Sequence, residues 1–163
     1  MNEFDKKWVL DNDSLNLIKL IIKIKQPKNI LDIGTFKGHS TLEISKETNA
    51  QIVSIEKDDV FFKEAETRLK DIKNIKLIKG DACLIIPNLK TKFDLILIDG
   101  MHREYIEYLK LLEENALLEK DAIIIADNVI SHKEKVQNYL EYVKINYNSK
   151  TINIGKGLEI SIR

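Results

Sequence analysis

One cysteine, Cys83, is all the chain has, so no disulfide can form within it, and the usage fits a reducing compartment. Excess charge is missing too: 26 lysines and arginines stand against 26 aspartates and glutamates. No global field therefore draws the protein toward nucleic acid or an anionic membrane, although a local basic patch can sit within a neutral total. No stretch reaches the roughly 18 apolar residues that suggest a membrane span. The leading "MNEFDKKWVL" also lacks the apolar core of a signal peptide. The expected setting is cytoplasmic, with no membrane partner. Proline and glycine are scarce, at 2 and 6 residues, and there is no repeat, low-complexity tract or linker rich in Gly, Ser or Pro. A chain of 163 residues without such punctuation reads as one domain, 1–163. Such a domain buries roughly 70% of its unfolded surface.

What is present is a rhythm. The apolar runs "NILDI", "QIVSIE", "NIKLIKG", "FDLILID" and "AIIIAD" alternate with the helical patterns "HSTLEISKET", "VFFKEAETRLKDI", "ACLIIPNL" and "EYIEYLKLLEENALL". Runs that are continuously apolar, instead of alternating, belong to strands buried on both faces, which implies a parallel sheet between helices. Ahead of them, "SLNLIKLIIKIKQP" reads as an amphipathic helix capped by Asp13 or Ser14 and ended before Pro27. Its lysines would also suit a membrane surface, but a helix covering the sheet is the preferred reading. Behind them, Val136, Tyr139, Leu140 and Val143 mark one helix face. "TINIGKGLEISIR" then alternates: Ile152 and Ile154 face one way, as do Leu158, Ile160 and Ile162 across a Gly155-Lys156-Gly157 turn. The expected fold is α/β and Rossmann-like, a seven-stranded, mostly parallel sheet with a C-terminal antiparallel hairpin and a short N-terminal helical cap. That arrangement resembles the class I methyltransferases more than a plain dinucleotide-binding fold.

In an open sheet of this kind, ligands sit beyond the carboxyl ends of the strands. The first strand ends there in "LDIGTFKGHST", where Gly34 permits a sharp turn and Gly38 lets the next helix begin close to a ligand. The spacing G-x-x-x-G is not the dinucleotide fingerprint, and turns use glycine routinely. Glu56, closing the second strand, is placed to accept hydrogen bonds from both ribose hydroxyls of a nucleoside, the alternative being a solvated acid in "EKDD". Asp81 in "KGDA", or the backbone of Ala82, would meet the adenine amine, unless Asp81 is a turn or helix-cap residue. Phe36 within the glycine turn and Asp99 at the end of the fourth strand complete the candidate cofactor set. Asp99 and Asp127 end the fourth and fifth strands at the same edge. Neighbouring carboxylates would raise each other's pKa unless a cation lies between them, and Asn128 adds a neutral oxygen. Such an all-oxygen set suits Mg²⁺; the alternative is that both acids cap the following helices.

"LDIGTFKGHS", "IEKDD", "FDLILIDGMHREY", "AIIIADNVI" and "GKGLEISIR", in that order, closely resemble the cation-dependent O-methyltransferases. These are the catechol and caffeoyl-CoA O-methyltransferases and their small bacterial and archaeal relatives, some of which methylate 5-hydroxyuridine in tRNA. The resemblance runs from about residue 28 to the C-terminus, and the Asp-Asn pair is its most specific element. It implies S-adenosylmethionine at Gly34, Ser40, Glu56 and Ala82, and a divalent cation on Asp99, Asp127 and Asn128. Two departures stand out. His102 occupies the position where the family often has a lysine base; a neutral imidazole with an ordinary pKa near 6.5 would take the proton there, or else the residue only starts its helix. One helix precedes the first strand where relatives often have two or three, which implies an open site filled by a partner subunit, as in a homodimer, or by a bulky substrate. The expected reaction is S_N2 methyl transfer from S-adenosylmethionine to a hydroxyl of a catechol-like small molecule held by the cation. The other readings are methylation of 5-hydroxyuridine in tRNA on a basic surface from "KLIIKIKQPK" and the lysines of residues 63–79, an NAD-dependent oxidoreductase, and a non-catalytic S-adenosylmethionine-binding protein.

Overall fold

A computed structural model of the chain describes residues 9–163, so the first eight residues of the stretch scanned for a targeting signal lie outside the described part. Helix α1 (Asn12–Lys25) has its cap two or three residues earlier than expected. Asp11 is the cap: its carboxylate takes the N–H groups of Asp13 and Ser14, and the Ser14 hydroxyl donates to it at 2.7 Å. Neither Asp13 nor Ser14 therefore caps the helix, because Asp11 already reaches the free donors of the first turn. The helix ends where Gln26 turns left-handed (φ 49°) ahead of Pro27. Among the described residues no helix is long and apolar enough to cross a membrane.

Strands β1 (Asn29–Ile33), β2 (Gln51–Glu56), β3 (Ile75–Lys79), β4 (Phe93–Ile98) and β5 (Leu118–Ala126) alternate with α2 (His39–Ser45), α3 (Asp59–Leu69), α4 (Ala82–Ile85) and α5 (Tyr105–Glu114). Helix α6 (Lys133–Asn146) and the hairpin β6 (Asn148–Ile152) and β7 (Leu158–Ile162) finish the chain. The seven strands form one sheet in the order β3-β2-β1-β4-β5-β7-β6. The first five run parallel, and β7 lies antiparallel to both β5 and β6.

The continuous apolar runs are explained by two cores, one on each face. Within β4, Ile96 and Ile98 join the core under α5 and α6, while Leu95 and Leu97 join the core under α1 and α2. In β5, Ile124 and Ala126 face the first core and Ile125 the second. Alternate side chains point to opposite faces, so a strand covered twice leaves no solvent-facing position, and a polar residue within it needs a buried partner. Each fully buried Ile or Leu contributes about 1.5–3 kcal/mol relative to exposure.

The hairpin departs from its simple alternating pattern. The loop runs over residues 153–157, so Ile154 belongs to the turn and not to a strand. Glu159 and Ser161, on the expected polar face, are both fully buried, while Ile162 is 39% exposed. The buried acid is satisfied locally: Ser149 donates to it at 2.6 Å, and Thr151 donates to its other oxygen. This face is buried on β7 because β6 supplies hydroxyl donors directly opposite.

Candidate active site

The turn after β1 is built by close approach. Gly34 sits at φ +100°, and a Cβ there would fall 2.3 Å from the carbonyl oxygen of Asp99. Only glycine fits between this turn and the end of β4. Phe36 follows at φ 51°, a conformation uncommon for a bulky residue. It is held by its N–H, which donates to Glu56 Oε2 at 2.7 Å, and by its ring packing on Phe61 at 4.4 Å. Gly38 opens α2 in the left-handed region, with Leu69 of α3 only 3.1 Å from the position of a Cβ.

Glu56 is 8% exposed, and its second oxygen takes the Asp58 N–H at 2.7 Å. Burial pushes its pKa up, against the pull of those backbone donors. Each oxygen keeps acceptor capacity beyond its one backbone partner, which is what binding a diol requires. Asp81 adopts the capping arrangement: it opens α4 by accepting the Cys83 N–H at 2.9 Å and is paired with Lys57. That pairing lowers the Asp81 pKa. Ala82 is buried at the first position of α4. Both stand beyond β3, next to the Glu56 end of β2.

Sequence reasoning missed a buried polar group beneath this turn. Asp32 of β1 accepts the hydroxyls of Thr41 at 2.6 Å and Ser54 at 2.7 Å, and Ser54 also meets Thr35 at 2.6 Å. The network ties the β1 turn, α2 and β2 together; burial raises the Asp32 pKa. An acid inside an otherwise apolar strand was the available signal.

Because β4 and β5 are neighbours in register, with Ile98 beside Ala126, the residues after them converge. The Asn128 amide nitrogen donates to Asp99 Oδ1 at 2.8 Å and to Asp127 Oδ2 at 3.2 Å, so one side chain bridges both acids. Asn128 reaches them from a left-handed backbone at φ 65°. Neither acid caps a helix: Met101 precedes the 3-10 turn after β4, and His132 precedes α6. Burial, then the charge of Asp127, pushes the Asp99 pKa well above the usual carboxylate range. Burial pushes Asp127 up to about 6. Asp127 Oδ1 is buried with no hydrogen-bond partner. An unpaired buried carboxylate oxygen beside a second acid is the condition a hard cation relieves. The donor set fits one, since an amide turned over about its Cβ–Cγ bond presents Oδ1 where Nδ2 now stands. A narrow cleft brings Asp99 and Asp127 together with Ser40, Asp32 and Ile18 of α1.

His102 starts the 3-10 turn between β4 and α5 and lies at the same edge. Its ring stacks on His132, with centroids 4.0 Å apart and planes 11° from parallel, and Nε2 is buried without a partner. The ordinary pKa near 6.5 does not survive: burial, then the charges of His132, Lys135 and Lys156, pushes it down to about 4. The imidazole is neutral at physiological pH and able to accept a proton. Tyr105, one turn on, donates its hydroxyl to the Asp127 carbonyl at 3.1 Å and joins the two loops. Of the expected site residues, Ser40, Asp99 and Asp127 line one cleft; Asn128 bridges its two acids, Gly34 abuts the Asp99 carbonyl, and Phe36 is tied to Glu56. His132 was not anticipated, because nothing local marks it.

A family model described as O-methyltransferase matches residues 4–161. Catechol O-methyltransferase B of Danio rerio is 27% identical over 166 residues, covering 94% of this chain and 62% of that protein. The transmembrane O-methyltransferase of Homo sapiens is 30% identical over 139 residues, covering 78% of this chain and 47% of that protein. The O-methyltransferase hkm8 of Aspergillus hancockii is 31% identical over 109 residues, covering 63% and 43%. The chain thus spans 43–62% of the length of these three relatives. Among solved structures, SAH-bound methyltransferase PaMTH1 of Podospora anserina superposes with a TM-score of 0.89 at 20% identity, over 96% of this chain and 80% of that one. The O-methyltransferase TomG of Streptomyces achromogenes, in complex with SAM, gives 0.87 at 22% identity, over 98% and 84%. At these identities the structural likeness establishes the fold.

Proposed function

This chain belongs to the O-methyltransferase family, and on that premise we propose that it transfers a methyl group from S-adenosylmethionine to a hydroxyl of a small catechol-like acceptor, assisted by a divalent cation of the Mg²⁺ type. The observation that carries the reading is the buried acid pair, two carboxylates on neighbouring strands bridged by Asn128, with Asp127 Oδ1 unpaired. SAM and SAH in the structural neighbours TomG and PaMTH1 support the choice of cofactor.

The chain's own groups divide the work. Gly34 leaves room at the β1 turn for the cofactor's amino-acid portion, beside Ser40. Glu56 accepts the ribose hydroxyls on the lone pairs its backbone donors leave free. Asp81 and Ala82 stand where the adenine would end. Asp99, Asp127 and Asn128 would hold the cation, which when bound would lower the pKa of the acceptor hydroxyl and offset the acid pair's repulsion. His102, neutral because of its depressed pKa, takes the hydroxyl proton on Nε2. The acceptor oxygen then forms its bond to the methyl carbon as the S–CH₃ bond breaks, and that electron pair returns to sulfur, converting the sulfonium to a thioether. Holding both reactants in line is worth several powers of ten in rate.

A small acceptor is favoured over tRNA by the partial neutralisation of the suggested basic face, where three of its nine lysines are ion-paired among the described residues. Lys19 binds Glu43 at 2.9 Å, Lys23 binds Glu47 at 3.0 Å, and Lys79 is paired with Asp59. The test is mass spectrometry after incubating the protein and labelled S-adenosylmethionine with a catechol panel and with hypomodified tRNA, with and without chelator. Methylated catechol, lost in chelator and restored by Mg²⁺, is expected. Full activity in excess chelator would remove the cation, and label in tRNA alone would replace the acceptor class.

A further inference from the structure

The stacked imidazoles come from different loops. His102 follows β4, His132 follows β5, and only the pairing of those strands brings the rings together. Hydrogen bonding does not hold the His102 ring at Nε2, which is buried and unpartnered. The Tyr105 ring touches it only obliquely, at 5.6 Å and 37°. The nearly parallel face of His132 at 4.0 Å is the closest ring restraint on its rotation.

His132 is itself braced. Its Nδ1 meets the Ser131 hydroxyl at 2.9 Å, and its N–H donates to the Asn128 carbonyl at 2.9 Å. One tight turn therefore carries both a proposed cation ligand and the stacking ring. The hairpin loop buttresses that turn: Val129 donates to the Gly157 carbonyl at 3.0 Å, and Ile130 and Ser131 donate to the Lys156 carbonyl at 3.1 and 3.0 Å. The contact is close enough that a Cβ on Gly157 would meet Ile130 at 2.4 Å.

We propose that His132 is a positioning residue for methyl transfer, its imidazole fixing the orientation of the His102 ring against the loop that carries Asn128. The inference rests on the proposed base role of His102. A ring free to rotate about its Cβ–Cγ bond presents Nε2 correctly only part of the time, and misplacement on the scale of 1 Å costs up to about 10²-fold in rate. Stacking is adapted to this task because it fixes the plane of a ring while leaving both nitrogens uncommitted.

The test is a double-mutant cycle on kcat, with a catechol that the protein methylates as acceptor and folding of each variant checked by thermal melting. His132→Ala should lower kcat about tenfold or more while the KM for S-adenosylmethionine stays within about twofold. His132→Phe, which keeps a flat ring to stack on, should recover most of the loss. In a His102→Ala background the His132→Ala change should cost nothing further, because the group it orients is gone. A kcat within twofold for His132→Ala, an equal cost in both backgrounds, or a phenylalanine variant no better than alanine would overturn the inference and leave the base reading standing. Normal kcat in His102→Ala, or no methylated acceptor at all, would bring down the base reading and this inference with it.

Discussion

Asp127→Asn should make the cation-free protein more stable while destroying its response to Mg²⁺. The side chain is nearly isosteric, so the perturbation is the removal of one charge from a position only 4% exposed. Burial raises the Asp127 pKa from 3.8 to about 6. A shift of about 2 units corresponds to about 3 kcal/mol of preference for the neutral form. The sign is opposite to that of a salt-bridged acid. Between pH 4 and 6 the folded state holds a proton that the unfolded state has released, so stability falls as pH rises through that window. The penalty is complete above it. At pH 8 in chelator the variant should gain about 1–3 kcal/mol, the lower figure allowing for an imperfect replacement of the hydrogen bond from Asn128. For a domain of this size that is about 2–10 °C in Tm. Differential scanning calorimetry in chelator should show the gain at pH 8 and almost none at pH 4. Mg²⁺ at about 100 times its Kd should stabilise the wild type by about 2.7 kcal/mol and the variant by far less. A variant less stable than wild type at pH 8 in chelator would refute the reasoning, since the acid pair would then be satisfied without a cation. Such charge frustration is a common cost of a functional site.

Other expectations follow from the same geometry. Glu56→Ala should weaken S-adenosylmethionine binding at least tenfold by calorimetry, because two charge-assisted hydrogen bonds of about 1.5–3 kcal/mol each are lost. Since burial raises the Glu56 pKa, wild-type affinity should be complete above that raised value and decline as pH falls through it, a dependence the variant lacks; unchanged affinity removes Glu56 from the site. Gly34→Ala should cost at least about 2 kcal/mol in urea unfolding, from strain at positive φ and the contact with Asp99. A near-neutral result would deny the close approach. Asp11→Ala should cost about 1–2 kcal/mol with partial recovery in Asp11→Asn, measured by thermal melting, because the cap and the acceptor of the Ser14 hydroxyl are both removed.

Local pattern by itself determined the elements. β1 at Asn29–Ile33 and β2 at Gln51–Glu56 match the quoted runs residue for residue, because a strand covered on both faces is apolar nearly throughout, with Asp32 and Ser54 as the buried polar exceptions. The same continuity placed Asp99 and Asp127 at strand ends and marked Gly34 as a sharp turn, to which the structure adds a close approach to the Asp99 carbonyl. Tertiary structure decided what depends on partners distant in the chain. The β1-β4-β5 adjacency turned two isolated acids into one bridged pair, and the same adjacency laid His132 on His102. The hairpin pattern gave only the shared face of its isoleucines and Leu158; hydroxyls on β6 are what satisfy Glu159 in the interior. Asp11 took the helix cap from Asp13 and Ser14 through backbone donors only its own position could reach. Periodicity reports which residues avoid water, since that is a property each residue carries with it. Burial of a charge, a shifted pKa or a stacked ring depends on what the rest of the fold places alongside, and no local stretch of sequence contains that information.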